Sequence, residues 1–455
     1  MRRIVLSAVS CLTISLLTGC TGDDTEVPQP DSGTTTPPVG DAGSDSTLPG
    51  DAGDDGGAPE ASAEDAPGDS NVVDAADAAP LTPYLLTSYY YGGGYSNTEY
   101  SAFDLTTNQT AGGLSYASYG INQSTNTAPW VLEQANDLVL RMDPTAPWKP
   151  TSSWTVPEPK PSAGESTNSD PFSVAEVGNK AYVALYARDY IAVLDTSAVA
   201  DGGAPTKSIS LTQFVSDADI DQNLEAIALA YDATRQRVWV VLGNGNNGAI
   251  PANGAYTPCS AGFHPLVVAI DTTTDTIVPN VAYPLTGYDI YPASAVAYDA
   301  TGDRLLIASG GCEDVTNLSD GGVTVGPTID SVVETIALAN GTDTVLLNPA
   351  PQYTSALVYV DSHHAFLESG NGTNAWDPTS PVLGALVANA PDTSVWDGKG
   401  HLLGPQTTSL SDGGSSYAIV SVDPTDGGLT TLATGPFSPL PTSYGWQAID
   451  LWPRP

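Results

Sequence analysis

The sequence predicts an all-β protein: a seven-bladed β-propeller of four-stranded antiparallel blades, its ring closed by the C-terminal strand and preceded by a disordered linker. Three observations predict it. Composition comes first: 41% of the 455 residues are apolar and 14% charged, with 45 Gly and 37 Pro. Such a chain suits short strands joined by turns and fits long helices poorly. The second is a repeat, since a short β-branched or aromatic run ending in Asp or Asn and followed by a turn occurs seven times: Phe103-Asp104, Met142-Asp143, Leu194-Asp195, Ile270-Asp271, Ala339-Asn340, Trp376-Asp377 and Val422-Asp423. The mean spacing of about 53 residues is near one four-stranded blade. The third is the pair of chain ends. Tyr84 to Tyr90 reads as the second strand of a blade whose innermost strand is missing, and Trp446 to Trp452 can supply it. Closure of this kind leaves no inner sheet edge unpaired.

Each repeat has a mechanism. An Asx side chain hydrogen-bonds the backbone two residues on, and the following Thr, Ser or Pro (Asp143-Pro144-Thr145, Asp271-Thr272-Thr273) favours the turn. With the strands of a blade named A to D from the centre outward, the Asx closes strand C and opens the hairpin to D. Blade three reads Phe172 to Val177, Ala181 to Tyr186, Tyr190 to Asp195 and Thr206 to Leu211. Blade four reads Glu225 to Tyr231, Arg237 to Leu242, Leu266 to Asp271 and Thr276 to Ala282, and blade five Ala293 to Asp299, Arg304 to Ser309, Val332 to Leu338 and Thr344 to Leu347. Blades two, six and seven do not separate cleanly into strands.

Two other segments precede the ring. Arg2 and Arg3, an apolar stretch from Ile4 to Leu17 and then Leu17-Thr18-Gly19-Cys20 form an export signal too short to span a bilayer. The last four residues resemble the bacterial lipobox, which implies cleavage after residue 19 and acylation of Cys20. Thr21 follows it rather than Asp, so the resemblance implies an outer-membrane lipoprotein facing the cell surface or the periplasm. Residues 21 to 80 hold 15 acidic residues and no Lys or Arg, with repeated Asp-Ala-Gly and Pro units. They have little apolar surface to bury and are expected to be a disordered tether spanning on the order of 40 Å. The expected organisation is therefore 1–19 signal, 20–80 lipidated Cys and acidic linker, 81–455 propeller.

Segments Asp170-Pro171-Phe172-Ser173-Val174-Ala175, Ala181 to Tyr186 and Ile191 to Asp195 resemble the YVTN/NHL-like β-propellers found on bacterial surface lipoproteins, although the signature tetrapeptide of that family is absent. The resemblance implies the fold over residues 81 to 455 and leaves activity open, because propellers serve many functions.

The net charge of −39 repels phosphate backbones, and nucleic acid is excluded as a partner. Beyond the signal, the cysteines other than Cys20 are Cys259 and Cys312, in long insertions after strand B of blades four and five; outside the cytoplasm such a pair is expected to form a disulfide. Loops after strands B and D share one face, the expected binding face. One of them carries Asp217, Asp219, Asp221 and Glu225, whose alternating carboxylates suit a hard cation such as calcium. A solvated acidic turn is the competing reading, since an EF-hand loop would need Gly at Gln222 and Glu at Ala228. His264, His363, His364 and His401 sit at no metal-ligand spacing and are expected at the surface. No hydrolase elbow, zinc helix or phosphate loop is present. The expectation is a monomeric, non-enzymatic module, anchored to the membrane by lipid, that binds a protein or a glycan; the alternative is a calcium-dependent hydrolase or lactonase drawing on inward carboxylates such as Glu225.

Overall fold

A computed structural model describes residues 81–454 apart from 92–96, 117–118, 158–167, 216–222, 244–263, 289, 291–292, 318–322, 330, 352–353, 355, 410–414 and 435–443. The chain forms seven antiparallel blades in a ring. Blade one contains β1 (Tyr84–Tyr91), β2 (Asn97–Asp104) and β3 (Gln109–Tyr116). Blade two is β4 (Gly120–Ser124), β5 (Pro129–Glu133), β6 (Leu138–Asp143) and β7 (Ala146–Thr155). Blade three is β8 (Pro171–Val177), β9 (Lys180–Leu185), β10 (Tyr190–Asp195) and β11 (Lys207–Ser210). Blade four is β12 (Ala226–Asp232), β13 (Arg237–Leu242), β14 (Leu266–Asp271) and β15 (Thr276–Pro284). In blade five, β16 (Val296–Asp299) and β17 (Arg304–Ala308) are separated by an inserted hairpin, β18 (Cys312–Asn317) with β19 (Val323–Ile329), from β20 (Val333–Ala337) and β21 (Asp343–Leu347). Blade six is β22 (Ala356–Asp361), β23 (His364–Ser369) and β24 (Gly372–Trp376); blade seven is β25 (Val395–Trp396), β26 (Leu402–Ser409), β27 (Ser415–Val422) and β28 (Leu429–Thr434). Finally, β29 (Tyr444–Trp452) returns to pair with β1, Tyr84 opposite Trp452 and Tyr91 opposite Tyr444.

That last pairing is the closure expected from the sequence: β29 is the innermost strand of blade one, in the order β29-β1-β2-β3. Each innermost strand touches the next, from β29 through β4, β8, β12, β16, β22 and β25 back to β29. The closing strand alternates its sides, as a strand must. Trp452 packs with Tyr84, Tyr100, Val131 and Met142 toward blade two, while Leu451 packs with Leu85, Phe103, Leu403 and Ile419 toward blade seven.

All seven Asx turns close strand C as the sequence predicts. The side-chain oxygens of Asp104, Asp143, Asp195, Asp271, Asn340, Asp377 and Asp423 each accept from the amide two residues on, at 2.7 to 3.0 Å. Through its amide and hydroxyl, the Thr at that position holds the carboxyls of Asp143 and Asp377 below the usual carboxylate range.

One departure from the expected strands, in blade five, and two features of blades six and two have local causes. In blade five the inner strand starts at Val296, because Ala293–Ala295 forms a 3-10 turn. In blade six the outer position is filled by residues 384 to 387, which run beside β24 through Ala375 N to Ala385 O and Val387 N to Thr373 O without forming a continuous strand. Blade two gains an extra outer partner: Ser153 and Thr155 of β7 donate to Ala200 and Gly203, so the long C-to-D hairpin of blade three covers this edge. Trp130, Trp154, Trp239, Trp376 and Trp452 are buried, in keeping with packing rather than ligand stacking.

Candidate ligand-binding face

Antiparallel blades place the A-to-B and C-to-D turns on one face and the B-to-C and D-to-A connections on the other. The two faces differ in elaboration. Most turns of the first kind are short, such as 178–179 and 362–363. Five long connections, 156–170, 211–225, 243–265, 285–295 and 309–332, leave and re-enter the ring on the second face and along one arc, from blade two's exit to blade five, while the first face has the comparably long 196–206 hairpin of blade three.

The floor of this arc is built by a repeated device. Asp170 and Glu225 occupy the same place in blades three and four, the residue before the innermost strand, and both have left-handed backbones (φ 59° and 50°). Their carbonyls accept from the residue after strand B, Tyr186 N at 2.8 Å and Gly243 N at 2.9 Å. One residue earlier, an Asp from the neighbouring blade's B-to-C turn supports each: Asp137 accepts from Ser169 N, and Asp189 accepts from Leu224 N at 3.0 Å. A non-glycine residue in this conformation costs about 1–2 kcal/mol, which the paired hydrogen bonds on both sides offset.

Around these carbonyls sits a group of buried polar side chains. Arg188 is wholly buried, and Asp189 and Glu225 are 2% exposed. The Tyr186 hydroxyl reaches Glu225 Oε1 at 3.4 Å, and its ring lies 5.2 Å from that of Phe172. Burial and the charge of Asp137 push the Asp170 carboxyl up to about 7, against the pull of Arg188. Asp170 therefore titrates near neutrality, while Tyr186 joins the bases of blades three and four.

Further along the arc, Glu334 of β20 is fully buried and accepts from Thr286 N and Gly287 N at 2.8 and 3.0 Å. Glu368 of β23 is 3% exposed and faces Thr393 and Ser394 before blade seven; burial pushes its carboxyl up to about 7. These carboxyls are spent on holding the connections between blades.

Of the residues singled out by sequence, Glu225 lies in this floor, while Cys312 opens β18 on the same face. Cys20, Cys259, Asp217, Asp219 and Asp221 lie outside the described residues. Among the described residues no three His, Cys, Asp or Glu side chains come together to hold a metal, and no helix is long and apolar enough to cross a membrane. His363 and His364 are exposed, as expected, and both line a cavity of about 310 Å³ on the opposite face, with Phe366, Trp376 and Val382. Sequence reasoning missed Asp137, Asp170, Asp189, Arg188 and Glu334. An overlay of Ser169-Asp170-Pro171 on Leu224-Glu225-Ala226, each heading an inner strand, would have found the first repeat.

No protein-family model matches the chain, and no curated protein matches it. Solved structures do resemble it. BamB from Moraxella catarrhalis is 12% identical with a TM-score of 0.39, over 73% of this chain and 78% of that one. The periplasmic gluconolactonase PpgL from Pseudomonas aeruginosa is 14% identical with a TM-score of 0.42, over 82% of this chain and 100% of that one. A hypothetical selenium-binding protein from Sulfolobus tokodaii is 12% identical with a TM-score of 0.48, over 82% of this chain and 94% of that one. At this distance the functional reading rests on the chain's own geometry.

Proposed function

We propose that this protein is an envelope binding module: a propeller, anchored to the outer membrane through acylated Cys20 and the acidic linker, that captures a protein or glycan without chemical turnover. One observation carries the reading, the clustering of five long connections on one face and along one arc, while the opposite face, the 196–206 hairpin apart, is closed mainly by short Asx-stabilised turns. Loops of this kind on a rigid scaffold are where recognition is built. The chain's point of entry supports it. Pro83, just before β1, accepts from Leu105 N in a C-to-D turn, so the described chain enters the ring on the turn-bearing face.

The test is capture by the full mature chain, on glycan arrays and in envelope-extract pulldowns, against variants with 244–263 or 312–329 replaced by short Gly-Ser turns. Binding is expected to be lost in these variants and kept when the Asp423 turn is altered. Unchanged capture after both rim replacements would refute the reading. A stoichiometric, chelator-removable calcium ion with turnover of a lactone or ester would favour the hydrolase, with Glu225 and the Asp170 group as its acidic centre.

A further inference from the structure

Residues 285–288 carry the chain from blade four to blade five on the long-connection face, and two acidic side chains hold them. Glu334 Oε2 and Oε1 accept from the amides of Thr286 and Gly287. Asp343, on the outer strand β21, accepts from the Thr286 hydroxyl at 2.7 Å through Oδ2, while its Oδ1 is buried without a hydrogen-bond donor. Gly287 is pressed against Ser309 and Val332, so a side chain there would collide with both. The next residue, Tyr288, is a junction. Its carbonyl accepts from Gly311 N at 3.0 Å, immediately before the inserted hairpin, and its hydroxyl lies 3.3 Å from His264 Nε2, at the end of blade four's long insertion.

Two carboxyls so placed cannot both be ionised cheaply. Among the described residues Asp343 is the charged group facing Glu334, and the other groups at its carboxyl are the amides of Thr286 and Gly287. The strand on the other side, β17, pairs with it through Ile307, which has no charge. The buried Asp343 Oδ1 fits a shared proton, because a bare carboxylate oxygen in that position would be left without a donor.

We propose that Glu334 and Asp343 form a proton-operated latch that fixes Thr286 to Tyr288, and through Tyr288 the bases of both insertions, while the pair keeps one proton, and that loosens them when the proton leaves. Burial and the charge of Asp343 push the Glu334 carboxyl up to about 8, which puts release on the alkaline side of neutrality. On release the like charges repel, and Asp343, on the outer strand, is the member that reaches water. Thr286 then loses its hydroxyl anchor, and the repulsion draws Glu334 off the amides of Thr286 and Gly287, which opens them to exchange. This goes beyond the binding reading: the latch can operate whatever the face binds, and the binding reading can stand if the latch fails.

The test is amide hydrogen exchange by mass spectrometry on the full mature chain, following peptides that span 284–290 from about pH 6 to pH 9.5 and expressing rates as protection factors. Wild type should lose about tenfold or more protection there with a midpoint near 8, while peptides from β9 stay flat. Asp343→Asn removes the like charge and should keep protection across the range; Glu334→Gln should remove the step. A flat wild-type profile, a step that persists in Asp343→Asn, or loss of protection shared with β9 would each overturn the latch. Should Glu334→Gln not fold, Asp343→Asn decides alone.

Discussion

Removing the indole of Trp452 should unlock the ring. The side chain is 2% exposed, fills the space between Tyr84, Leu86, Tyr100 and Met142, and donates from Nε1 to Pro144 O at 2.7 Å. Truncating a buried Trp to Ala costs about 3–5 kcal/mol through lost transfer energy and the cavity left behind. The orphaned Pro144 carbonyl adds about 1 kcal/mol. Against a total stability on the order of 5–15 kcal/mol, that is a large fraction carried by the last residue of the closing strand. Trp452→Ala should therefore lower the urea midpoint by an amount equivalent to at least about 3 kcal/mol, with Leu451→Ala costing about 2–5 kcal/mol from the blade-seven side. Val199→Ala is the control: that side chain is 83% exposed and should change stability by less than about 0.5 kcal/mol. If Trp452→Ala costs no more than Val199→Ala, β29 is not holding the ring, and the closure argument fails.

The remaining predictions are shorter. Asp143→Asn should be nearly neutral, because Asn340 makes the same turn in blade five, whereas Asp143→Ala should cost about 0.5–1 kcal/mol in denaturation experiments. Asp170 has a folded pKa raised from 3.8 to about 7, so the native state holds a proton the unfolded chain has lost; stability should fall by a few kcal/mol as pH rises from about 4 to about 7, and Asp170→Asn should flatten that slope in pH-dependent melts. Gly287→Ala should cost about 1–3 kcal/mol, since the added methyl meets Ser309 and Val332, and calorimetry would show it. Treatment with a calcium chelator should leave the melting temperature unchanged for the binding module; a drop restored by calcium would support the hydrolase reading instead.

The ring was legible because its signals are local. An Asx turn needs one side chain and the amide two residues on, so Asp143-Pro144-Thr145 announces its hairpin without any knowledge of the other blades. Closure was legible for a different reason: a blade that lacks an inner strand and a surplus strand at the far end fit only each other. Blades two, six and seven resisted because their strands break the alternating rule. Strand β7 carries Pro147 and Pro150 within its ten residues, β25 is two residues long, and blade six fills its outer position with a segment that never becomes a strand. The floor of the long-connection face was the least legible part. Asp137 supports Ser169 across 32 positions and Glu334 holds Gly287 across 47, and no spacing rule connects residues whose meeting depends on adjacent blades being in place.

The same long-range contacts explain why the elaborated arc can tolerate variation. The connections between blades are held at their bases by carboxyl groups from neighbouring elements: Asp137 before blade three, Asp189 before blade four, Glu334 before blade five, with Glu368 facing the entry to blade seven. The backbone that leaves such a base is constrained at its ends, and the residues between can change length or sequence at a loop-closure cost that grows only slowly. The short Asx turns on the other face, such as those at Asp143 and Asp271, have no such freedom, because their few residues are the hydrogen-bonded ring itself. A propeller in which one face is anchored from outside the loop and the other from within it therefore has one surface on which recognition can diversify and one on which it cannot, and the long connections of this chain lie on the first.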